Sequence, residues 1–217
     1  MTDATLQALD GLRDLSLVKW YVIPLLAIVL YVYAREIKEA RKSNDWNAIF
    51  AGLTLFGADF LNETVNGWIM HLTQRSALWT TPGDTALRVM VGWNIEIIFM
   101  FLLAGLIYYH SLSESRDRTI LKIPEMWFWA VAFAAFCVFV ECLLNMGGHL
   151  VWEYPFWERT FFGVWPIFLF GYLGFFCWII LVITRKTLKA RLTIVGALYA
   201  LPAAMSILAF GLLGWNY

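Results

Sequence analysis

Six stretches of mostly apolar residues, 17–34, 48–70, 88–109, 126–148, 160–183 and 192–214, run through the chain. About twenty such residues in a helix cross the hydrocarbon of a bilayer. Of the 217 residues, 61% are hydrophobic and 15% charged, against about 25% charged in a soluble domain. A 25.0 kDa globule has too little interior to hide that surplus. The expectation is therefore all-α: a polytopic membrane helical bundle of six transmembrane helices, one integral membrane domain over 1–217. The first stretch leads into Ala34-Arg35-Glu36-Ile37-Lys38 rather than a small-residue cleavage site, so it reads as a retained span.

Basic residues give the orientation. Arg35, Lys38, Arg41 and Lys42 follow span 1, Arg116, Arg118 and Lys122 follow span 3, and Arg185, Lys186, Lys189 and Arg191 follow span 5. These are eleven of the sixteen Lys and Arg residues. They mark the cytoplasmic side and put both termini on the other. The location is a multi-pass membrane, bacterial inner membrane or endoplasmic reticulum. A net charge of zero speaks against a nucleic-acid partner. The three cysteines lie in apolar runs without a CxxC pair. The non-cytoplasmic connections differ from the basic ones: 76–85 holds a Pro82-Gly83 turn, and 149–158 is rich in aromatics. Either an interfacial belt or a lid over a pocket accounts for them.

Ionisable residues inside the spans are the informative exceptions. Asp59, Asn62, Glu63 and Asn66 fall within an arc of about 100° on the second helix. Glu141, Asn145 and His149 share one face of the fourth, and Asn94 and Glu96 lie in the third. Counted from the outer ends of their spans, Glu63, Glu96 and Glu141 sit at one depth, roughly 12–14 Å down. A charged acid facing lipid there costs about 3 kcal/mol, so the four acids must face inward, pair or hold protons. They describe a polar cavity in a bundle; interhelical hydrogen bonding alone is the plainer account.

Metal and cofactor chemistry lacks a signature. His71 and His149 end their spans on one side and His110 on the other, which precludes a three-His site, although His71, His149 and Glu153 could meet at the boundary. Neither ExxH nor HExxH occurs, and P-loop, GxGxxG and GxSxG are absent. No metal and no cofactor are expected.

A buried carboxylic acid donates a proton, and an ionised neighbour accepts one. Aromatic faces stabilise cations without reacting, and Trp68, Trp93, Trp152, Trp157 and Trp165 lie in or above the outer half of the spans. Asp59-x-x-x-Glu63 followed by Asn66-Gly67-Trp68, Asn94-x-Glu96, and Tyr154-Pro155-Phe156-Trp157 before span 5 carry a resemblance. Over spans 2 to 5 the chain resembles the EXPERA-type sterol isomerases related to emopamil-binding protein, and is similar to the small integral-membrane terpene cyclases. The resemblance implies a compact bundle doing acid-initiated carbocation chemistry within the bilayer. The chain departs from both patterns. Asp59 stands where the isomerases carry His, span 5 lacks their Asn, and spans 5 and 6 lack the cyclases' late acid.

The expected function is thus an integral membrane enzyme, a cyclase or isomerase, acting on an isoprenoid or other lipid by acid–base chemistry. Its partners are a lipophilic small molecule and membrane lipid. Glu63 and Glu96 are the first candidates for acid and base, with Asp59 and Glu141 sharing the proton. Asn62, Asn66, Trp68, Trp93, Asn94, Asn145, His149 and Trp152 are the candidates for binding substrate. The alternatives are a proton-coupled transporter and a structural subunit of a membrane complex. Against transport stand the lack of an inverted repeat and the few prolines breaking late spans.

Overall fold

The structure, a computed structural model, describes residues 1–113, 115 and 118–217; Arg116, counted above among the basic residues, lies outside them. A short amphipathic helix α1 (Asp3–Leu9) precedes six longer ones: α2 (Val22–Ser43), α3 (Asn47–Thr73), α4 (Ile95–His110), α5 (Glu125–Met146), α6 (Val164–Ile183) and α7 (Leu188–Leu212). By length and composition α5, α6 and α7 suffice to cross a membrane, and α4 is a shorter apolar helix.

The central element is α3, which packs against α4, α6 and α7. Small residues permit it. A Cβ on Gly105 would lie 2.4 Å from the Ala51 carbonyl oxygen, so α4 crosses α3 with backbones nearly touching, the small-residue packing of membrane helices. α5 reaches the bundle mainly through α6, and α2 lies on the outside along α4 and α3. Large apolar side chains such as Ile23, Leu30, Phe136 and Phe170 point outward, as lipid demands and water forbids.

The helices differ from the expected spans in two places. Residues 88–94 are not helical. Arg88–Met90 (β2) and Trp93–Asn94 (β3) form an antiparallel hairpin, and α4 starts at Ile95 with the Asn94 side chain accepting from the Ile97 amide at 2.9 Å. Buried Arg88 explains the change: its guanidinium donates to the carbonyls of Asp10 (2.8 Å), Gly83 (2.9 Å), Thr81 (3.0 Å) and Pro82 (3.2 Å). That ties α1 and the 81–83 turn to the hairpin. The first span is also displaced. The helix begins at Val22 and runs through Arg35, Lys38, Arg41 and Lys42, ending where Asn44 turns left-handed at φ 58°. Those basic residues therefore sit on a helical extension rather than in a loop, with Lys42 and Glu39 paired at 2.7 Å.

The chain ends and the connections 74–94 and 147–163 gather at one end of the bundle. Arg13 donates to the carbonyls of Val89 (3.0 Å) and Tyr217 (3.1 Å), and the Tyr217 ring packs on Gly67 of α3. Trp79–Thr80 (β1) pairs antiparallel with Val151–Trp152 (β6), joining the two connections. Thr119–Ile120 (β4) and Ile123–Pro124 (β5) make a small hairpin at the opposite end.

α6 is irregular. Ile167–Leu173 is a π-helical segment just after Pro166. Its wider turn brings Ile167, Gly171 and Tyr172 to one face.

Candidate active site

Asp59 and Glu63, one turn apart on α3, are 4% and 3% exposed. Each accepts from a different indole. Trp93 Nε1 donates to Asp59 Oδ2 at 2.7 Å, and Trp79 Nε1 to Glu63 Oε1 at 2.7 Å. At this length each bond fixes the orientation of its carboxyl. Trp93 is immobilised in turn, its ring stacked against Phe56 (5.4 Å) and Phe60 (5.7 Å). It reaches the acid through its N–H edge.

Trp79 comes from the 76–85 connection, and Asn66 holds that connection in place. The Asn66 Oδ1 accepts from the amides of Leu78 (2.7 Å) and Trp79 (3.3 Å), while its Nδ2 donates to the Trp79 carbonyl (2.8 Å). The Asn66 side chain is also within hydrogen-bonding reach of Glu63. The second carboxyl oxygen of Glu63, Oε2, is buried and has no hydrogen-bond partner among the described residues. Gly92 permits this approach, since a Cβ there would stand 2.6 Å from Glu63 Oε2 and from the Trp79 ring.

Glu141 arrives from α5, with the Tyr172 hydroxyl of the π segment within hydrogen-bonding reach. Glu96 differs from the depth expected for it. Because α4 starts at Ile95, Glu96 stands in the first helical turn, where the helix N-terminus favours an anion. It accepts from the hydroxyls of Thr85 (2.5 Å) and Tyr21 (2.6 Å) and the amide of Ala86 (2.9 Å). With three donors it anchors the 84–86 segment and the start of α2. Beside it, the Lys19 ammonium bonds the exposed Asp84 carboxyl and holds it below the usual carboxylate range.

These acids surround one cavity of about 350 Å³. Asp59, Asn62, Glu63, Asn94, Glu96, Glu141 and His149 line it; Asn66, Trp68, Trp93, Asn145 and Trp152 do not. Trp68 packs edge-on against Trp215 at 5.2 Å, Asn145 donates to the Leu150 carbonyl at 3.1 Å, and Trp152 stands opposite Trp79 across the β1–β6 pair. His71 Nε2 donates to the Asn216 carbonyl, 3.0 Å away, and the ring stacks on Trp215, away from the cavity that His149 lines. No cluster of three His, Cys, Asp or Glu side chains is set to hold a metal among the described residues.

A lid over a pocket is one of the two sequence readings of the connections, but Trp79, Trp157 and Tyr172 are not among the candidate site residues. Trp79 and Trp157 stack at 5.7 Å and cover part of the cavity, and both line it. They come from the two aromatic connections, so these fold over the pocket and are more than an interfacial belt. Tyr172, Phe101 and Phe175 form the opposite wall. The Pro82-Gly83 turn signalled Trp79; Pro166 was the signal for Tyr172, since a proline loosens the turn around it.

Residues 2–211 match the model of an uncharacterized membrane protein family. The chain belongs to this family. An uncharacterized protein of Archaeoglobus fulgidus is 38% identical over 216 residues, covering 99% of each chain. No solved structure matches. The family match and the apolar helices make this an integral membrane protein in contact with membrane lipid, and its acids are buried within a bundle whose outer face meets that lipid.

Proposed function

We propose that this membrane protein is an enzyme that moves protons on a lipophilic substrate of the isoprenoid class, as a cyclase or isomerase, with six membrane spans and both termini outside the cytoplasm. The observation that carries the reading is Glu63. One oxygen is fixed by Trp79, and the other is unpartnered in a cavity whose walls are otherwise largely aromatic and aliphatic. A carboxyl held in one orientation and screened from water is poised to transfer a proton.

In the proposed reaction the Glu63 carboxyl protonates a carbon–carbon double bond, forming a C–H bond and leaving a carbocation on the neighbouring carbon. The aromatic walls, Trp79, Trp157, Tyr172 and Phe101, shield that cation. A second carboxylate, Glu141 beside Tyr172, removes a proton from an adjacent carbon to regenerate a double bond. One proton enters and one leaves, so no outside reactant is needed. Asp59, held by Trp93 one turn below Glu63, keeps a second acid next to the first.

Proton-coupled transport requires a route to the other end of the bundle. There a separate cavity of about 450 Å³ lies beside Asp45, Tyr109 and Glu125. Tyr108, Phe133 and Phe176, in mutual ring contact at 5.0–6.0 Å, pack between the two. That plug supports the enzyme reading.

The test is deuterium incorporation. Protein in nanodiscs is incubated in D2O with isoprenoid olefins and alcohols, and products are read by mass spectrometry. Wild type should place solvent deuterium on carbon, and Glu63→Gln should lower the rate about 100-fold or more. Equal incorporation by the two would sink the proposal.

A further inference from the structure

Trp79 and Trp157 cover part of the cavity at the loop end, where it reaches the surface beside exposed Asp84 and His149, and the cavity is also open sideways. Met100 on α4 and Phe136 and Leu144 on α5 line it while remaining 45%, 60% and 37% exposed on the outer surface of the bundle. A side chain that is both cavity wall and lipid-facing surface marks an opening. The helix packing agrees: α4 leans on α3 and α5 on α6, and the two meet along only a short stretch. The gap between them is framed by flexible or aromatic side chains without a polar atom to desolvate. It opens at the level of the hydrocarbon, since Met100 is in the second turn of α4 and Phe136 is halfway along α5.

Charge sets a second constraint. Five acids line the cavity, Asp59, Glu63, Asp84, Glu96 and Glu141, and no Lys or Arg does so among the described residues. The two nearby cations are already used. Lys19 is bound to Asp84, and the Arg88 guanidinium is surrounded by backbone carbonyls. The imidazole of His149, at the loop end, faces five acids, so the lining has no cation in excess to balance a phosphate, diphosphate or carboxylate head. Burying such an anion unpaired is prohibitive. The unpartnered, buried Glu63 Oε2 adds a polar atom awaiting a donor or a protonatable carbon.

We infer that the ligand is a lipophile with an uncharged head, which enters from the bilayer through the gap between α4 and α5 and excludes its own anionic forms. This deepens the enzyme reading and rests on it. Substrates activated as prenyl diphosphates would then be handled upstream, by a reaction that removes or never installs the anionic group.

The experiment uses full-length protein in nanodiscs, with empty nanodiscs subtracted, and two matched pairs of tritiated probes: farnesol with farnesyl diphosphate, and dodecanol with laurate at neutral pH. The alcohol of at least one pair should bind about tenfold or more tightly than its anion, because an unbalanced like charge at the site is repelled. The double variant Met100→Trp, Leu144→Trp, which widens only exposed side chains, should slow alcohol association about fivefold or more at unchanged melting temperature. Anions binding as tightly as the alcohols would overturn the inference and leave the proton chemistry standing. Unchanged association in the double variant, with slower association in Asp84→Trp at the loop end, would overturn the lateral entry. Binding of none of the four probes would sink the lipophile site itself, and the enzyme reading with it.

Discussion

At the scale of single residues, the site is defined by how each carboxyl is held. Glu63 and Asp59 receive indole N–H donors from two ends of the 74–94 connection, whereas Glu96 is saturated by three donors. These two situations predict opposite responses to the same substitution. Glu63→Gln removes a proton carrier while keeping volume, and relieves a buried ionisable group; activity should vanish and the melting temperature in detergent hold or rise. Glu96→Gln leaves one of its oxygens replaced by an amide that cannot accept from Thr85, Tyr21 and Ala86 together. Its melting temperature should fall by an amount equivalent to about 1–3 kcal/mol, with turnover reduced only as far as folding is. Trp79→Phe keeps the ring over the cavity but deletes the N–H, so it should cost activity more than stability. If Trp79→Phe were as active as wild type, the orientation of Glu63 would not matter to the chemistry.

At the scale of elements, two close approaches and one irregular helix place the acids. The α3–α4 crossing depends on Gly105 facing Ala51. Gly105→Val should force the helices apart and destabilise the bundle by about 1–3 kcal/mol, read as a drop in melting temperature in detergent. The π segment of α6 offers the contrasting case. A Cβ on Gly171 meets only Trp157 Cζ2, at 3.9 Å, so Gly171→Leu should fold but fill the cavity. Ligand binding should weaken while the melting temperature stays within a few degrees. The loop that carries Trp79 is tied at its far end by Lys19 and Asp84. Because this pair depresses the Asp84 carboxyl, its contribution is present in full above the ordinary aspartate range near pH 4 and is lost as the pH falls through the lowered value. Protease nicking within 76–85 should therefore rise only in strongly acidic buffer, and in Asp84→Asn should be elevated already at neutral pH. Asp84 is exposed and Lys19 half-buried, so high salt should mimic the effect in part.

At the scale of the whole molecule, both chain ends meet the roofed end of the bundle, through Arg13, Tyr217 and the Thr2 amide on the Arg75 carbonyl, and most basic residues lie at the other. In a background without Cys137, Cys142 and Cys177, a cysteine at exposed Asp3 should react with a membrane-impermeant maleimide from outside intact cells. One at exposed Lys186 should react only after lysis. The reverse labelling would invert the orientation while leaving the site unchanged.

How much was legible follows from the range of the forces involved. Apolar length and acid periodicity are local properties of the chain. From them alone came the membrane location, the helical class and the inward stripe of Asp59, Asn62 and Glu63; Glu96 lines the same cavity as Glu63 and Glu141, but from the first turn of α4 and not at the depth expected for it. Where a helix starts is also local in principle. Yet 88–94 scored as span because Val89, Met90, Val91 and Trp93 are apolar, and only the carbonyls gathered from α1 and the 81–83 turn reveal why Arg88 ends a hairpin instead. The partners of the acids were beyond reach. Trp79 is sixteen residues from Glu63, Trp93 thirty-four from Asp59, and Tyr21 seventy-five from Glu96. Such pairings exist only once the connections have folded back over the bundle. The chain by itself determined that acids would be buried in a lipid-facing bundle, because hydrocarbon leaves them no other place. Tertiary structure alone decided which acid is saturated and which keeps a free oxygen, because hydrogen-bond donors are delivered by segments distant in sequence.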